Sequence, residues 1–276
     1  MFAWLPLAAA AGMLWQCVSP GVWHANTPMA SRGPLAPVRA TMLKLDPMQV
    51  RFELRSVTRD HGMRGAWTVD SLPPEGVAAW NAGQFTGPMV WGWLVRDGRE
   101  EQPVGAGTLG MAFIVDREGR ASLVEPGEIA SRRDEALVAF QSYPALLVGD
   151  GRLPWELRAN GRGANLDHRD SRLAIGTLPD GKLLVALTRF TGLGSAGEEL
   201  PWGPTVGEMA VWMRAQGCRR AMLLDGGLSS QMAVRRRDGE LTRWPNWRQV
   251  PLGMVVLPRA YAVAVRVPRT HAKRER

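Results

Sequence analysis

An acidic residue followed by two glycines and two hydroxyl residues is the feature of this sequence most suggestive of chemistry. Asp225 ends the apolar run at 221–224, which predicts a buried strand. The residues that follow it are Gly226, Gly227, Leu228, Ser229 and Ser230. Glycines permit close backbone approach to a ligand, and successive N–H groups in such a turn can bind an anion. The alternative is a tight turn in which Asp225 bonds its own backbone.

A second cluster of ionisable residues stands immediately before another apolar run. The segment at 165–176 reads N-L-D-H-R-D-S-R-L-A-I-G. Because a strand begins there, Arg172 is expected to project from the sheet, where its guanidinium can hold a phosphate with two hydrogen bonds. His168 could assist a proton transfer, and Asp170 supplies a second carboxyl. The alternative is a solvated loop, as for most runs of charge.

A third candidate is Asn81, a polar residue in the segment A-W-N-A-G-Q-F at 79–85. An Asn side chain can both donate to and accept from the hydroxyls of a sugar. Taken alone, the residue is more simply interpreted as part of a turn ahead of Gly83.

Two well-known motifs are matched only in outline. G-A-G-T-L-G at 105–110 fits a dinucleotide-binding pattern, but that pattern needs a strand before it and a helix after it. Here Pro103 precedes the glycines and a strand-like run follows them. G-L-S-S-Q at 227–231 lacks the second glycine of the serine-hydrolase nucleophile elbow. Neither motif therefore predicts the corresponding function.

Short strands separated by turns surround these residues. Three hairpins are predicted, with their turns at Gly119, at 180–181 and at 238–239. Alternating residues predict that the folded body starts near Gln49, and the run at 251–257 predicts a late strand.

One helix is clear and begins after Thr205, which forms a capping box with Glu208 and is followed by apolar residues at helical spacing. Gly217 ends it. A weaker helix is predicted over 133–140. Because hairpins outnumber crossovers, we expect an α+β fold: a mostly antiparallel or mixed sheet core with hairpins and a few packed helices.

The N-terminus predicts export. Residues 2–15 are apolar, uncharged and too short to span a bilayer, as in a secretory signal; the alternative is a buried helix. We expect a signal peptide or anchor over 1–17, a Pro/Gly/Ala-rich linker over 18–45, one domain over 46–265 and a basic tail over 266–276. The expected location is periplasmic, extracellular or envelope-anchored, with membrane association through the N-terminal segment only.

Composition limits the partners. The 276 residues include 34 Lys and Arg against 26 Asp and Glu, a net charge of +8 that favours an anionic partner. The basic clusters do not alternate with aromatic residues as in a nucleic-acid groove, so no nucleic acid is expected. Cys17, Cys218 and four scattered histidines show no metal-ligand spacing, so neither a metal nor another cofactor is expected.

Several segments together resemble the phosphodiester glycosidase family, the bacterial and animal group related to the uncovering enzyme that removes N-acetylglucosamine from mannose 6-phosphate diesters. In order they are N-A-G-Q-F, Y-P-A-L-L-V-G-D-G, S-R-L-A-I-G with its D-G hairpin, the capped helix before L-L-D-G-G-L-S-S, and R-Q-V-P-L. The resemblance runs from about Val77 to Leu257. Gln84 replaces a usual aromatic residue, and Leu228 replaces a third glycine. Many bacterial relatives are linked to exopolysaccharide metabolism.

The resemblance implies hydrolysis of a sugar 1-phosphodiester, or a related glycosidic bond, in envelope or extracellular glycans. Two carboxyls usually share such work, and the candidates are Asp225 and Asp170. Arg172 would neutralise the phosphate and His168 would assist a proton transfer. The residues expected to bind the carbohydrate or sugar-phosphate substrate are Asn81, Gly226, Gly227, Ser229 and Ser230.

Two other functions stay open at this point. A non-catalytic envelope protein that binds an anionic glycan would keep Arg172 and exposed Trp faces without needing two neighbouring carboxyls. A metal-dependent phosphodiesterase would instead bring Asp167, His168, Asp170 and Asp225 together around an ion. The enzymatic hypothesis requires that Asp225 and Arg172 face one shared cavity.

Overall fold

The computed structural model describes residues 14–31, 37–56, 67–86, 89–158, 161, 165–194, 200, 202–245 and 247–259. Strands make up 45% of these described residues and helices 14%, and the antiparallel sheets curl into a half-barrel. The fold is therefore predominantly β. The expected antiparallel sheet with hairpins is confirmed, whereas the α+β class is corrected because the helices are few and short.

The secondary structure of the described residues is as follows. The strands are β1 (Gln16–Ser19), β2 (Val22–Met29), β3 (Val38–Leu45), β4 (Val50–Ser56), β5 (Ala78–Asn81), β6 (Phe85–Thr86), β7 (Met89–Val90), β8 (Leu94–Arg96), β9 (Arg99–Gln102), β10 (Met111–Asp116), β11 (Ala121–Val124), β12 (Ala136–Ser142), β13 (Ala145–Leu147), β14 (Leu173–Thr177), β15 (Leu183–Phe190), β16 (Arg220–Leu223), β17 (Met232–Arg235), β18 (Leu241–Trp244) and β19 (Leu252–Pro258). The α-helices are α1 (Ile129–Arg132) and α2 (Val206–Ala215), and 3-10 turns lie at Val69–Ser71, Pro126–Glu128, Arg133–Glu135, Trp155–Arg158 and Gly227–Ser229. None of these helices is long and apolar enough to cross a membrane.

Three sheets and a small hairpin, β6–β7, form the described architecture. The first sheet has the order β1-β2-β3-β15-β14-β16-β13, the second β18-β17-β5-β19-β4 and the third β11-β10-β12-β8-β9. One apolar core joins them, with Met42 from the first sheet, Trp80 from the second and Phe113 from the third fully buried in it. Burial of this apolar surface is the main force that holds the sheets together.

The expected hairpins are confirmed. β10 pairs with β11 around Gly119, β14 with β15 around Gly181 and β17 with β18 around Gly239, and each of these glycines has a positive φ. The late strand is β19. Helix α2 begins at the Thr205 cap with both hydrogen bonds of the capping box to Glu208, as the sequence predicts.

The helix predicted over 133–140 is wrong. Only Arg133–Glu135 forms a 3-10 turn, and the chain then continues as β12. Nearly all residues of β12 are buried, because Phe140 packs into the main core on one face and Ala139 into a separate apolar cluster on the other. A strand covered on both faces loses the polar–apolar alternation that distinguishes it from a helix in sequence.

The linker predicted over 18–45 is also wrong. This segment supplies half of β1 and all of β2 and β3, and β3 pairs along its whole length with β15 inside the first sheet. Its Pro20–Gly21 pair forms the turn between β1 and β2 rather than part of a flexible linker. Gln16 and Cys17, assigned to the signal or anchor, lie in β1. Residues 1–13 and the expected tail lie outside the described residues.

Replacement of Leu43 by Ala should separate a sheet strand from a linker. Leu43 is fully buried in β3, and its truncation should lower the free energy of unfolding by about 2–5 kcal/mol because a cavity replaces packed atoms. Arg39→Ala, an exposed position on the same strand, should change it by less than about 0.5 kcal/mol. Denaturant unfolding followed by Trp fluorescence measures both; equally small effects would contradict the placement of β3.

Candidate functional site

Two neighbouring antiparallel strands bring the chemically suggestive segments together. β14 pairs with β16, so the beginning of one strand lies beside the end of the other. The backbone N–H of Leu224 donates to the carbonyl of Leu173 at 2.8 Å. Asp225, which follows β16, and Arg172, which precedes β14, are therefore neighbours although they are 53 positions apart in sequence.

Asp225 and Arg172 line one cavity of about 300 Å³, as the enzymatic hypothesis requires. The polar side chains that line it are Gln84, Tyr143, Asn165, His168, Asp170, Arg172 and Asp225. Its size is at the lower end of the range of small-molecule sites.

The Asp225 carboxyl is poised to titrate near neutrality. Burial raises its pKa to about 6. A hydrogen bond from the Ser229 side chain and the charge of Arg248 act in the opposite direction, and the charge of Asp170 adds to the rise. Its Oδ2 atom is buried and has no hydrogen-bond partner among the described residues. A carboxyl held in this way is typical of groups that exchange protons with a substrate.

The Asp170 carboxyl lies against the glycine turn. Burial raises its pKa, while the charge of Arg172 and a 3.3 Å contact from His168 Nε2 lower it. A Cβ atom at Gly227 would lie 2.7 Å from Asp170 Oδ2, and Gly227 has a φ of 60°. Glycine is therefore required there both for the backbone conformation and for the space that the carboxylate occupies.

The guanidinium of Arg172 is held in place by backbone carbonyls. Its Nε donates to Pro204 O at 3.2 Å and its Nη2 to His168 O at 2.6 Å. Burial lowers its pKa, against the effect of the Asp170 charge, yet a guanidinium stays charged in proteins. Arg172 is thus a fixed positive charge in the cavity wall.

Helix α2 anchors the loop that carries these groups. Arg169 makes a two-pronged ion pair with Glu208, at 2.8 and 3.0 Å. The same Glu208 carboxylate accepts from the backbone N–H of Thr205 at 3.1 Å. The expected capping role of Glu208 is confirmed, and the residue also ties the 168–172 loop to the helix.

Asn81 holds the backbone of the 225–231 turn and does not line the cavity. Its Nδ2 donates to the carbonyl of Asp225 at 2.6 Å, and its Oδ1 accepts from the N–H of Gln231 at 2.9 Å. The side chain is fully buried. The predicted contact with sugar hydroxyls is not supported, because both ends of the amide already bond the backbone on either side of the turn.

The glycine–serine turn is more internally bonded than the sequence suggests. Gly226 lines the cavity, but the N–H of Gly227 donates to Ser171 O at 2.8 Å and is not directed at a substrate. Ser230 Oγ donates to Gly227 O at 2.9 Å and shares a 2.7 Å hydrogen bond with Ser171 Oγ. Ser229, also buried, bonds the Asp225 carboxyl. The expected substrate contacts of Gly227, Ser229 and Ser230 are thus replaced by roles that position Asp225.

The family follows from a match over most of the folded domain. The model of the phosphodiester glycosidase family matches residues 75–257. The chain belongs to this family. That range contains every residue that lines the cavity.

Solved structures show the same fold at low sequence identity. The zebrafish N-acetylglucosamine-1-phosphodiester alpha-N-acetylglucosaminidase catalytic domain, auto-inhibited by its pro-peptide, is similar with a TM-score of 0.66 and 16% identity, over 92% of this chain and 91% of that one. A hypothetical protein from Synechocystis has a TM-score of 0.61 and 14% identity, over 91% of this chain and 65% of that one. No curated protein sequence matches.

Three residues of this phosphodiester glycosidase domain lie at the site although the sequence analysis gave them no role there: Gln84, Tyr143 and Arg248. Gln84 and Tyr143 line the cavity, and Gln84 Nε2 donates to Tyr143 O at 2.5 Å. The charge of Arg248 acts on Asp225, and its backbone N–H donates to Leu228 O at 3.0 Å. The segment R-Q-V-P-L contains Arg248, but only long-range pairing shows that it runs beside the Asp225 turn.

The convergence of acids required by a metal-dependent phosphodiesterase is not found in the described part of the domain. Within those ranges, no three His, Cys, Asp or Glu side chains come together as metal ligands would.

Replacement of Asp225 by Asn should stabilise the domain at alkaline pH but not in acid. The folded pKa is raised from 3.8 to about 6, so ionisation of Asp225 costs folding free energy that is absent in acid and fully present above pH 6. Asp225→Asn should therefore raise stability by about 1–3 kcal/mol at pH 8 and have little effect at pH 4. Thermal unfolding at both pH values measures this.

Asp150→Asn is the matched control for the stability prediction, because the Asp150 side chain is 89% exposed. It should leave the melting temperature unchanged at both pH values. If Asp225→Asn instead destabilised the domain at pH 8, the Asp225 carboxylate would be favourably bonded in the fold. That result would contradict the prediction that its ionisation costs folding free energy.

Proposed function

We propose that this domain hydrolyses a sugar 1-phosphodiester, or a related glycosidic bond, in envelope or extracellular glycans. The observation that carries the proposal is the presence of two carboxyls, Asp225 and Asp170, and one fixed guanidinium, Arg172, in the same cavity. Membership of the phosphodiester glycosidase family supports the class of bond. A sugar-phosphate substrate also fits the net charge of +8.

Arg172 binds the negatively charged phosphate of the substrate. A phosphodiester bears one negative charge, and the phosphate group that leaves after cleavage at the sugar carbon bears more. A guanidinium already fixed by Pro204 O and His168 O stabilises that growing charge without moving during the reaction. A phosphate is a good leaving group, so its departure depends more on charge neutralisation than on a proton donor.

The two carboxyls act on the sugar and the water. Departure of the phosphate leaves an oxocarbenium-like sugar, which neighbouring carboxylates stabilise. Asp225, with a pKa of about 6, is a stronger base than an ordinary carboxylate and is still mostly ionised above pH 7. We assign to it the activation of the attacking group at the sugar carbon, and to Asp170, contacted by His168, the stabilisation of positive charge.

We also propose that the enzyme is exported. The apolar segment at 2–15 is the expected signal for it. We place the enzyme in the periplasm, the envelope or the extracellular space, where a glycan substrate would be met.

Asp225→Asn is expected to abolish turnover while the fold is retained. An amide can neither activate a nucleophile nor balance the sugar's positive charge. Purified protein should be assayed on a panel of sugar 1-phosphodiesters and nitrophenyl glycosides, with circular dichroism to check folding and Asp150→Asn as the exposed-carboxyl control. Activity retained within about tenfold, or about 1.4 kcal/mol of barrier, would remove Asp225 from the mechanism. Binding without turnover by the unaltered protein would favour the glycan-binding alternative.

The pH dependence should report the state of Asp225. Because its ionised form is assigned the base role, kcat/KM should rise with pH and reach a plateau above an apparent pKa of about 6. Initial rates on one phosphodiester between pH 4.5 and 8 measure the profile. A kcat/KM that instead falls through pH 6 would mean that the protonated carboxyl is the active form.

A further inference from the structure

A second cavity adjoins the one that contains the two carboxyls. Its volume is about 390 Å³, and Gln84 and Tyr143 line both cavities. Gln84 holds the carbonyl of Tyr143 through its amide at 2.5 Å, so these two residues form the border between the two spaces. A ligand that reaches past this border would occupy both cavities at once.

The lining of the second cavity is aromatic and polar without formal charge. Trp91 and Tyr143 form a corner, with ring centroids 5.0 Å apart and planes tilted by 57°. Phe85 adds a third ring, whose centroid lies 4.9 Å from the Arg248 guanidinium carbon. Gln84, Thr86 and Thr108 add polar side chains to the lining. None of the described residues that line this cavity is an Asp, Glu, Lys, Arg or His. We call it the aromatic subsite.

The wall of the aromatic subsite is built on a buried glutamine. Gln141 Oε1 accepts from the N–H groups of Trp93 at 3.0 Å and Gly105 at 2.8 Å, and its Nε2 donates to Gly105 O at 3.2 Å. A Cβ at Gly110 would lie 2.6 Å from Gln141 Nε2 and 3.0 Å from Trp91 Cη2. The 105–110 segment is thus packed directly on Gln141 and Trp91, and the aromatic corner is preorganised.

We propose that the aromatic subsite binds a neutral sugar ring of a longer glycan, so that the enzyme prefers a phosphodiester carried on an oligosaccharide to one carried on a small alcohol. This inference rests on the proposed function, since it extends the substrate of the same site. It also gives a place in the function to the 105–110 segment, which lies between strands β9 and β10 and so lacks the following helix of a dinucleotide-binding motif.

The chemistry of the lining favours a neutral sugar over other occupants. A second phosphate, a uronic acid or a nucleotide phosphate would need a cation, and the described lining offers none. A sugar ring has an apolar face that packs on Trp or Tyr and hydroxyls that bond an amide or a Thr hydroxyl. A lipid chain would offer no hydrogen-bond partner to the Thr86 and Thr108 hydroxyls in the lining, which costs free energy on burial.

Gln84 lies at the border through which a longer ligand would pass. An amide there can hydrogen-bond a chain that extends from one cavity into the other.

The test compares two substrates with the same scissile bond. One is N-acetylglucosamine 1-(methyl phosphate), and the other is N-acetylglucosamine 1-phosphate esterified to the primary hydroxyl of maltotriose. The unaltered protein should show a higher kcat/KM on the second, and Trp91→Ala should lower the ratio of the two values by about tenfold. Trp155→Ala, at a Trp that is 56% exposed and lines neither cavity, should leave the ratio unchanged.

A binding measurement separates failure of the subsite from failure of the proposed function. Maltotriose, cellotriose and chitotriose should each be titrated into the full chain, into its Trp91→Ala variant and into Trp155→Ala, with saturation-transfer NMR as the readout. Trisaccharide binding that Trp91→Ala weakens supports the subsite even if no phosphodiester is cleaved. The proposal would be overturned if none of the three sugars bound, or if Trp91→Ala left the substrate ratio unchanged. It would also be overturned if a decyl ester of N-acetylglucosamine 1-phosphate were preferred over the maltotriosyl ester and that preference depended on Trp91.

Discussion

The antiparallel pairing of β14 with β16 is the constraint on which the site depends. It places the end of one strand against the beginning of the next, joined by the hydrogen bond from Leu224 to Leu173, and so sets Asp225 beside Arg172 and Asp170. β15 and β3 extend the same sheet, so the N-terminal strands also support the site. Asp225 has Arg172 as a neighbour only because β14 and β16 pair in the sheet.

Holding two carboxyls in a partly closed cavity is unfavourable for the fold, and the surrounding network compensates. Asn81 clamps the backbone on both sides of the turn, Ser230 ties it to Ser171, and Gly227 leaves room for the Asp170 carboxylate. Residues of this kind bond the backbone rather than a substrate, but they keep Asp225 in position. The raised pKa of Asp225 is the consequence of that position, since burial disfavours its charge.

The site and the aromatic subsite differ in the chemistry of their linings. Fixed charge and titratable groups lie where a phosphodiester would react, whereas the neighbouring space holds rings, hydroxyls and an amide. Under the proposed function, this difference would let the aromatic subsite recognise a sugar without competing with the charge interactions at the bond that breaks.

The sequence alone determined the local features, because short-range physics decides them. The hairpin turns at Gly119, Gly181 and Gly239 need positive φ, and the cap at Thr205 satisfies helix N–H groups within one turn. The importance of the segment at Asp225 was also visible from its residue types. Only the tertiary structure decided that β12 is a strand rather than a helix, because burial on both faces removes the alternating pattern. It likewise decided that Asn81, Ser230 and Gly227 support the turn, and that Gln84, Tyr143 and Arg248 belong to the site. Those assignments depend on which distant strands pair, and no short stretch of sequence contains that information.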